Sequence, residues 1–311
     1  KQGLLEKDVT LGTALVDMYA KCGALSKARE VLEELPMRNV ASWNVLIDGY
    51  AKHGLSNEAL KHFEWMQREG FGPDKYTYVS VLNACANIGS IEIGEEVHGD
   101  VNKQGLLEKD AMLATTLVDM YAKCGVLVKA QEVFDAIHLQ DVASWNSLMA
   151  GYAQLGQARK LLDLFYKMVS EGIAPDLLSF HVLLIACSHA GLLKEGEELF
   201  DEMCGVYGLS PKLEHLACMI DLFARAGHFN KANALLLDKV SSSDNLPLLL
   251  TILGACHKWI NVKLGRWAFE QAIDLDEKCS AAYVGMVNIY VSAGMHTEAD
   301  RIEGLRVKSG A

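Results

Sequence analysis

Apolar residues recur at spacings of three and four along the chain, in short stretches separated by glycine. In residues 40–74, Leu46 and Tyr50 belong to one such stripe, and Leu60 and Phe63 belong to the next. This period is typical of an amphipathic α-helix, and the glycine between the stripes predicts a tight turn. Each such segment therefore predicts two short helices joined as a hairpin.

The hairpins repeat along the chain at an offset of 102 residues. TALVDMYAKCG at 13–23 returns as TTLVDMYAKCG at 115–125, and VASWN begins at both Val40 and Val142. Two short helices cannot bury their apolar faces alone, so neighbouring hairpins must stack. The sequence predicts an all-α fold, an α-solenoid of stacked helix-turn-helix repeats, and leaves its hand, right or left, open.

The copies predict where each repeat begins and ends. Residues 1–8 are expected to end a truncated repeat, so the chain is expected to be a fragment with any targeting segment upstream. Complete repeats are expected at 9–39, 40–74, 75–110, 111–141, 142–176 and 177–212. A degenerate repeat at 213–243 and two further helical pairs at 244–277 and 278–311 are expected to close the array.

Composition narrows the possible partners and cofactors. The formal net charge of −11 counts against a simple cationic nucleic-acid binder, so any positive potential must be local. No stretch approaches the roughly 20 apolar residues of a membrane span, and no membrane partner is expected. The eight cysteines contain no C-x-x-C pair, which favours small buried side chains in a reducing compartment. His62 and His296 match H-x-E, but P-C-x-x-C follows neither, so no metal and no cofactor are expected.

A polar stripe follows the first helix of each repeat. Its fifth, ninth and thirteenth residues are four apart and share one face, as Asn44, Asp48 and Lys52 do. Any amphipathic surface helix has a polar face, but here the residue types keep their register through the stack. Bases of a nucleic acid can meet the fifth residue and phosphates the thirteenth. The candidate phosphate contacts are Lys21, Lys52, Lys123 and Arg225, which as isolated residues would be solvated surface side chains.

Three recurring motifs together resemble a known family. The pattern V-x-S-W-N-x-L-I-x-G-Y-x-K-x-G closes in G-P-D, with a short variant, VDMYAKCG, and a long variant, NACANIGSIEIGEEVH. These resemble the pentatricopeptide repeat proteins of plant organelles, and the alternation of 31, 35 and 36 residues resembles their subclass of P, L and S repeats. GACHKWINVKLG at 254–265 and YVGMVNIYVSAG at 283–294 resemble the TPR-like E1 and E2 extension of RNA-editing factors.

The resemblance implies that each repeat reads one RNA base with its fifth and last residues. Carried over to this sequence, it gives adenine for Thr13 with Asn39, uracil for Asn44 with Asp74, guanine for Thr115 with Asp141, and uracil for Asn146 with Asp176. Val79, His181 and Ala217 are weaker base positions, since two carry no hydrogen-bonding group and His181 is paired with Lys212. The implied single-stranded target is 5′-A-U-n-G-U-n-n.

Residues beside the reading positions have expected roles of their own. The fourth-position aromatics are expected to pack between repeats rather than stack on bases. They are Trp43, Tyr78, Trp145 and Phe180. The small second-position residues are better candidates to flank a base. They are Thr10, Ala41, Met112 and Ala143. In the extension, Leu249, Ile260 and His296 stand where the family usually has Trp, Gly and Trp.

The resemblance implies the targeting part of an organellar C-to-U RNA-editing factor, in a mitochondrion or chloroplast. Its partners would be single-stranded RNA, a DYW-type cytidine deaminase in cis or in trans, and organellar editing cofactors. No catalytic constellation is present, so this chain is not expected to be an enzyme. The alternative is an α-solenoid protein–protein interaction scaffold without RNA specificity, since such solenoids also hold peptides. Matched residue pairs at fixed offsets favour RNA over a peptide, whose anchors would fall at irregular positions.

Overall fold

The structure, a computed structural model, describes residues 9–107, 109–137, 140–228, 230–232, 234–235 and 245–310. Within these ranges the regular secondary structure is entirely helical, as the sequence predicts. Residues 1–8, the expected end of a truncated repeat, lie outside the described residues, as does much of the second helix expected in 213–243. The chain divides into two compact units, residues 1–155 and 156–311.

The first unit is a series of helical hairpins. Its described helices are α1 Val9–Lys21, α2 Leu25–Glu34, α3 Val40–Lys52, α4 Ser56–Arg68, α5 Lys75–Ile88, α6 Ile91–Lys103, α7 Ala111–Lys123, α8 Leu127–Ala136 and α9 Val142–Gln154. Each helix packs on its successor in the hairpin, and the first helices α1, α3, α5, α7 and α9 also pack one against the next. The first helices therefore form a continuous layer within this unit.

The second unit repeats the same arrangement. Its described helices are α10 Ala158–Ser170, α11 Leu177–Ala190, α12 Leu193–Gly205, α13 Leu213–Arg225, α14 Asn245–Trp259, α15 Val262–Leu275, α16 Ser280–Ser292 and α17 His296–Ser309. Here α11, α13, α14 and α16 pack in succession, so the extension continues the layer of first helices within the unit. Among the described residues, every helix falls short of the length and apolar character that crossing a membrane requires.

Two glycines let consecutive first helices approach closely. A Cβ on Gly49 in α3 would lie 2.8 Å from Cβ of Ala20 in α1. At the copy one period later, a Cβ on Gly151 in α9 would lie 2.7 Å from Cβ of Ala122 and 3.1 Å from its Cα in α7. Carbon atoms do not pack at such distances, so the spacing of the layer depends on the absence of a side chain at these positions.

The fourth-position aromatics lie in the core, which confirms their predicted role. Trp43, Trp145 and Phe180 have no exposed surface, and Tyr78 is 1% exposed. Trp145 meets Phe134 of the preceding repeat edge-on, with ring centroids 4.7 Å apart. These rings are therefore unavailable for stacking on a base in this structure.

The cysteines divide by burial. Cys85, Cys187, Cys256 and Cys279 are buried, as predicted, and burial raises the pKa of the Cys85 and Cys187 thiols to about 12. Cys22 is exposed, so the prediction of buried cysteines is wrong there. Cys22 is the residue after the last turn of α1, where the chain leaves the layer and enters the interhelical turn.

Candidate nucleic-acid interface

The polar stripes of consecutive first helices adjoin one another. The ion pair with Asp17 raises the pKa of Lys21, and Asp48 on the next first helix raises it further. In the second unit, the rings of His181 in α11 and His215 in α13 lie with centroids 5.7 Å apart. These interactions cross from one repeat to the next and link neighbouring first helices at one place in each unit.

Asn44 is held by the last residue of its own repeat and by the third residue of the next one. Its Nδ2 donates a hydrogen bond of 2.9 Å to Asp74 Oδ1, which is the pairing predicted for this slot. Its Oδ1 accepts a hydrogen bond of 2.5 Å from the hydroxyl of Thr77. Asn44 stays partly exposed, whereas Thr77 is fully buried. Both the nitrogen and the oxygen of the amide are therefore hydrogen-bonded to the protein, and the side chain remains partly exposed.

The last residue of a repeat also begins the next first helix. Asp74 Oδ1 accepts hydrogen bonds of 3.0 Å and 2.9 Å from the backbone N–H groups of Tyr76 and Thr77, which satisfies two donors that α5 leaves unpaired. The same capping position is occupied at the start of α3, α7, α9 and α11. The capping residues are Asn39, Asp74, Asp110, Asp141 and Asp176. Their identity is thus constrained by helix capping as well as by any contact with a base.

The two threonine slots lack the hydrogen bond to a capping residue that holds Asn44. The Thr13 hydroxyl donates a hydrogen bond of 2.9 Å to the carbonyl of Val9 in its own helix. Among the described residues, the Thr13 side chain forms no direct hydrogen bond with Asn39, and the Thr115 side chain forms none with Asp141. A base at these slots would meet a hydroxyl that no capping residue holds.

The fourth predicted pair lies in two different units. Asn146 belongs to the first unit and is only 3% exposed, so its side chain is more enclosed than that of Asn44. Asp176 belongs to the second unit, where its side chain accepts a hydrogen bond of 2.9 Å from the backbone N–H of Ser179 and caps α11. The expectation of an accessible Asn146 is therefore not met in this structure.

The weaker base positions have different surroundings. The last residue of the Val79 repeat is the capping residue Asp110. Lys75 binds the Asp110 carboxylate at 2.8 Å, and that hydrogen bond holds the pKa of Asp110 below its usual range. Burial and the nearby His215 ring lower the pKa of His181. Ala217 lines a cavity of about 30 Å³, the size of one water molecule.

Each predicted phosphate contact forms an ion pair with the acid four residues before it. Lys21 binds Asp17 at 2.7 Å, Lys52 binds Asp48 at 2.6 Å, and Lys123 binds Asp119 at 2.7 Å. The side chains of Lys21 and Lys52 are 75% and 73% exposed. Such surface pairs contribute about 0–1 kcal/mol and exchange readily for another anion. The stripe is therefore a row of alternating charges rather than a line of positive charge.

Arg225 differs from the three lysines. Its side chain is 18% exposed and its Nε lies 3.0 Å from Asp221 Oδ2. The hydroxyl of Ser188 donates a hydrogen bond of 2.5 Å to the same oxygen of Asp221. The side chain of Arg225 is thus largely buried, and its guanidinium is less accessible to a phosphate than the lysine ammonium groups.

Family comparisons identify the repeats. Two family models match the chain. The model of the PPR repeat family matches residues 38–87 and 140–189, and a second model, of the PPR repeat, matches residues 13–40, 114–140 and 178–205. Together these matches cover more than half of the chain. The chain belongs to the pentatricopeptide repeat family. Its repeat boundaries nevertheless stay predictions, because the matched segments do not coincide with them.

The pentatricopeptide repeat relatives include plant proteins. The chloroplastic protein CRR2 of Arabidopsis thaliana is 38% identical over 301 residues, which is 96% of this chain and 45% of CRR2. The chloroplastic protein At1g08070 of the same plant is 40% identical over 294 residues, 94% of this chain and 39% of that protein. The chain thus spans less than half the length of these two relatives.

Solved pentatricopeptide repeat structures share the fold. The crystal structure of PPR10 from maize matches with a TM-score of 0.67 at 19% identity, covering 97% of this chain and 45% of that one. PPR10 in complex with an 18-nt psaJ RNA element matches with a TM-score of 0.71 at 19% identity, covering 98% of this chain and 46% of that one. The predicted solenoid fold is confirmed by this likeness.

Sequence reasoning missed two residues of the pentatricopeptide repeat surface. Thr77 was not singled out, although Asp74 with Thr77 three residues later is a capping-box signature visible in the sequence. Tyr76, at a second position, is 55% exposed, and the ammonium of Lys75 lies 5.1 Å from its ring centroid. An exposed aromatic ring beside a reading residue is suited to contact with a base.

Proposed function

We propose that this chain binds single-stranded RNA in a sequence-specific manner, one base per repeat. The observation that carries the proposal is the contact between Asn44 and Asp74, which joins the two residues that would read one base while leaving the amide partly exposed. The structural likeness to PPR10, solved in complex with an 18-nt psaJ RNA element, supports RNA as the ligand class. A net charge of −11 makes base contacts, rather than bulk attraction, the source of affinity.

The chemistry of the Asn44 slot favours uracil. An asparagine amide has two N–H donors and two acceptor lone pairs, and Asp74 and Thr77 each occupy one of these. One N–H and one lone pair remain for the ligand. The uracil edge offers an N–H beside a carbonyl oxygen, which matches that pair in the observed orientation of the amide. Cytosine presents the reverse order, a ring-nitrogen acceptor beside an amino donor, and would match only if the amide turned over.

The proposed target is 5′-A-U-n-G-U-n-n, with Thr13, Asn44 and Thr115 at the first three specified bases. Contact of the last U with Asn146 requires this side chain, 3% exposed here, to become exposed on binding. Binding of this RNA should be compared with binding of an RNA in which A and G are exchanged, at one fixed salt concentration. Each matched base contact contributes on the order of 1–3 kcal/mol, so the exchange should weaken binding at least tenfold. Equal affinity for the two RNAs would refute the base assignments, and no binding to either would favour a protein-binding scaffold.

The proposed role of the array within a cell is based on its relatives and on the helical pairs of the extension. We propose that the array targets organellar RNA, since the named relatives CRR2 and At1g08070 are chloroplastic. The helical pairs α14–α15 and α16–α17 would form the E1-like and E2-like motifs of an editing factor, joining the RNA to a cytidine deaminase. Editing of a reporter transcript that carries the proposed site, with and without residues 245–310, tests this role. Unchanged editing without those residues would contradict it.

A further inference from the structure

The hydroxyl of Thr77 is the least expected contact of the Asn44 slot. Thr77 is the third residue of its repeat and completes the capping box of α5, in which the backbone N–H of Asp74 donates a hydrogen bond of 3.1 Å to Thr77 Oγ1. The hydroxyl therefore already accepts one hydrogen bond. Its single proton faces Asn44 Oδ1 at 2.5 Å and Asp74 Oδ1 at 3.0 Å, and the shorter contact is the one to Asn44.

The arrangement fixes which end of the Asn44 amide faces which neighbour. Asp74 Oδ1 accepts from two backbone N–H groups and from Asn44 Nδ2, so an amide oxygen turned toward it would meet only lone pairs. The Thr77 proton requires an acceptor in the other direction. The following inference rests on the proposed function. We propose that Thr77 is a positioning residue, whose hydroxyl holds the amide of Asn44 in one orientation so that uracil is preferred to cytosine.

The threonine slots supply a matched comparison. Ser144 occupies the third position at the start of α9, and the backbone N–H of Asp141 donates a hydrogen bond of 3.1 Å to its hydroxyl. The Ser144 hydroxyl turns back to the carbonyl of Asp141 at 2.8 Å, and the hydrogen bonds of this described segment do not join it to Thr115. The same capping box thus exists once with and once without a contact to the reading residue. Thr77 and Ser144 differ in that contact.

The test measures base preference at two positions of the RNA. Wild type, Thr77→Val, Thr77→Ser and Ser144→Ala are titrated with the proposed RNA, with its second-position U→C variant and with its fourth-position G→A variant. Thr77→Val should reduce the preference for U over C about tenfold, the contribution of one hydrogen bond. Its preference for G over A should be unchanged. Thr77→Ser should retain both preferences, and so should Ser144→Ala, which loses only the capping contact.

Each outcome decides between this inference and the proposed function. A wild type that prefers U, together with a Thr77→Val variant that prefers it equally, overturns the inference alone. A wild type with no preference at either position overturns the proposed function and the inference with it.

The free protein gives a second measurement that does not depend on the valine variant folding. In the absence of RNA, the Asn44 side-chain amide protons, assigned by their loss in Asn44→Ser, should exchange slowly in wild type and about equally slowly in Thr77→Ser, which keeps the hydroxyl. Fast exchange typical of an exposed amide in wild type overturns the lock.

Discussion

Asn44 and Asp74, thirty residues apart in sequence, are joined by a hydrogen bond of 2.9 Å from Nδ2 to Oδ1. The same carboxylate caps α5. One residue therefore both caps the first helix of the next repeat and orients the amide of its own repeat. Substitutions at this position change two properties, and a useful experiment must separate them.

Asp74→Asn should separate capping from base reading. Asparagine caps a helix about as well as aspartate, so the free energy of unfolding should change by less than about 1 kcal/mol. An asparagine can present either its oxygen or its amino group to Asn44, which lets the Asn44 amide turn over. The preference for U over C at the second base should fall about tenfold, measured by competition binding.

Asp110→Asn is the control for this prediction. Asp110 caps α7 in the same way, but the base position of its repeat is Val79, which has no hydrogen-bonding group. Base preference at the second and fourth positions should be unchanged in this variant. An equal loss of preference in Asp74→Asn and Asp110→Asn would mean that capping, rather than the contact with Asn44, controls binding.

The sequence predicts the repeating helices because their periodicity is encoded locally, and the resemblance to pentatricopeptide repeat proteins implies the pairing of Asn44 with Asp74. It does not predict that Asn146 is buried or that Arg225 is enclosed with Asp221. These properties depend on how neighbouring helices surround a side chain, and the polar stripe looks the same in sequence whether it is open or covered. The capping role of the last residue of each repeat is visible in the sequence. Asp or Asn followed three residues later by Ser or Thr recurs at 39–42, 74–77, 141–144 and 176–179.

Asp48→Asn should strengthen RNA binding. Asp48 neutralises Lys52 at 2.6 Å on the exposed face of α3, and its removal leaves that ammonium available to a phosphate. The affinity should rise a few fold at low salt, and the slope of log affinity against log salt should steepen by roughly 0.7, the value for one phosphate contact on a single strand. Lys52→Ala should have the opposite effect on both quantities.

The control for charge alone is Glu58→Gln. Glu58 pairs with Lys61 at 2.6 Å on the second helix α4, away from the stripe of first helices, and Lys61 is 68% exposed. This variant changes the net charge by the same amount as Asp48→Asn. Equal steepening of the salt dependence in the two variants would assign the effect to net charge and contradict a contact at Lys52.

Gly151→Ala and Gly99→Ala should change stability in opposite directions. A Cβ on Gly151 would lie 2.7 Å from Cβ of Ala122 and 3.1 Å from its Cα, so α7 and α9 would have to separate, at a cost of about 1–3 kcal/mol. A Cβ on Gly99 in α6 meets no atom within 4 Å, and alanine there should stabilise the helix by roughly 0.5–1 kcal/mol. Urea denaturation followed by circular dichroism measures both. Stabilisation by Gly151→Ala would show that the first helices can move apart without loss.

His62 should make the stability of the first unit depend on pH. The ring is 4% exposed and stacks on Tyr50, with centroids 4.7 Å apart, and burial lowers its pKa from the usual 6.5. Between the lowered folded pKa and 6.5 the unfolded state binds the additional proton, so stability rises with pH through this window and is fully present above it. Each unit of lowering corresponds to about 1.4 kcal/mol.

His62→Phe should remove this part of the pH dependence while keeping an aromatic ring against Tyr50. Denaturation midpoints measured at pH 7 and pH 5.5 should differ less in the variant than in wild type. The same difference in both proteins would show that the His62 ring is not the titrating group.

Ile260→Gly should stabilise the extension. Ile260 has φ = +53°, a left-handed conformation that a β-branched side chain adopts at a cost of about 1–2 kcal/mol, and its side chain is 51% exposed, so little burial is lost on removal. Glycine adopts this conformation without a steric penalty and should raise the free energy of unfolding by about 1 kcal/mol. Ile260→Ala is the control, because it removes most of the side chain and keeps a Cβ in the left-handed region. If alanine stabilised the extension as much as glycine, loss of the exposed apolar surface rather than relief of backbone strain would be the cause.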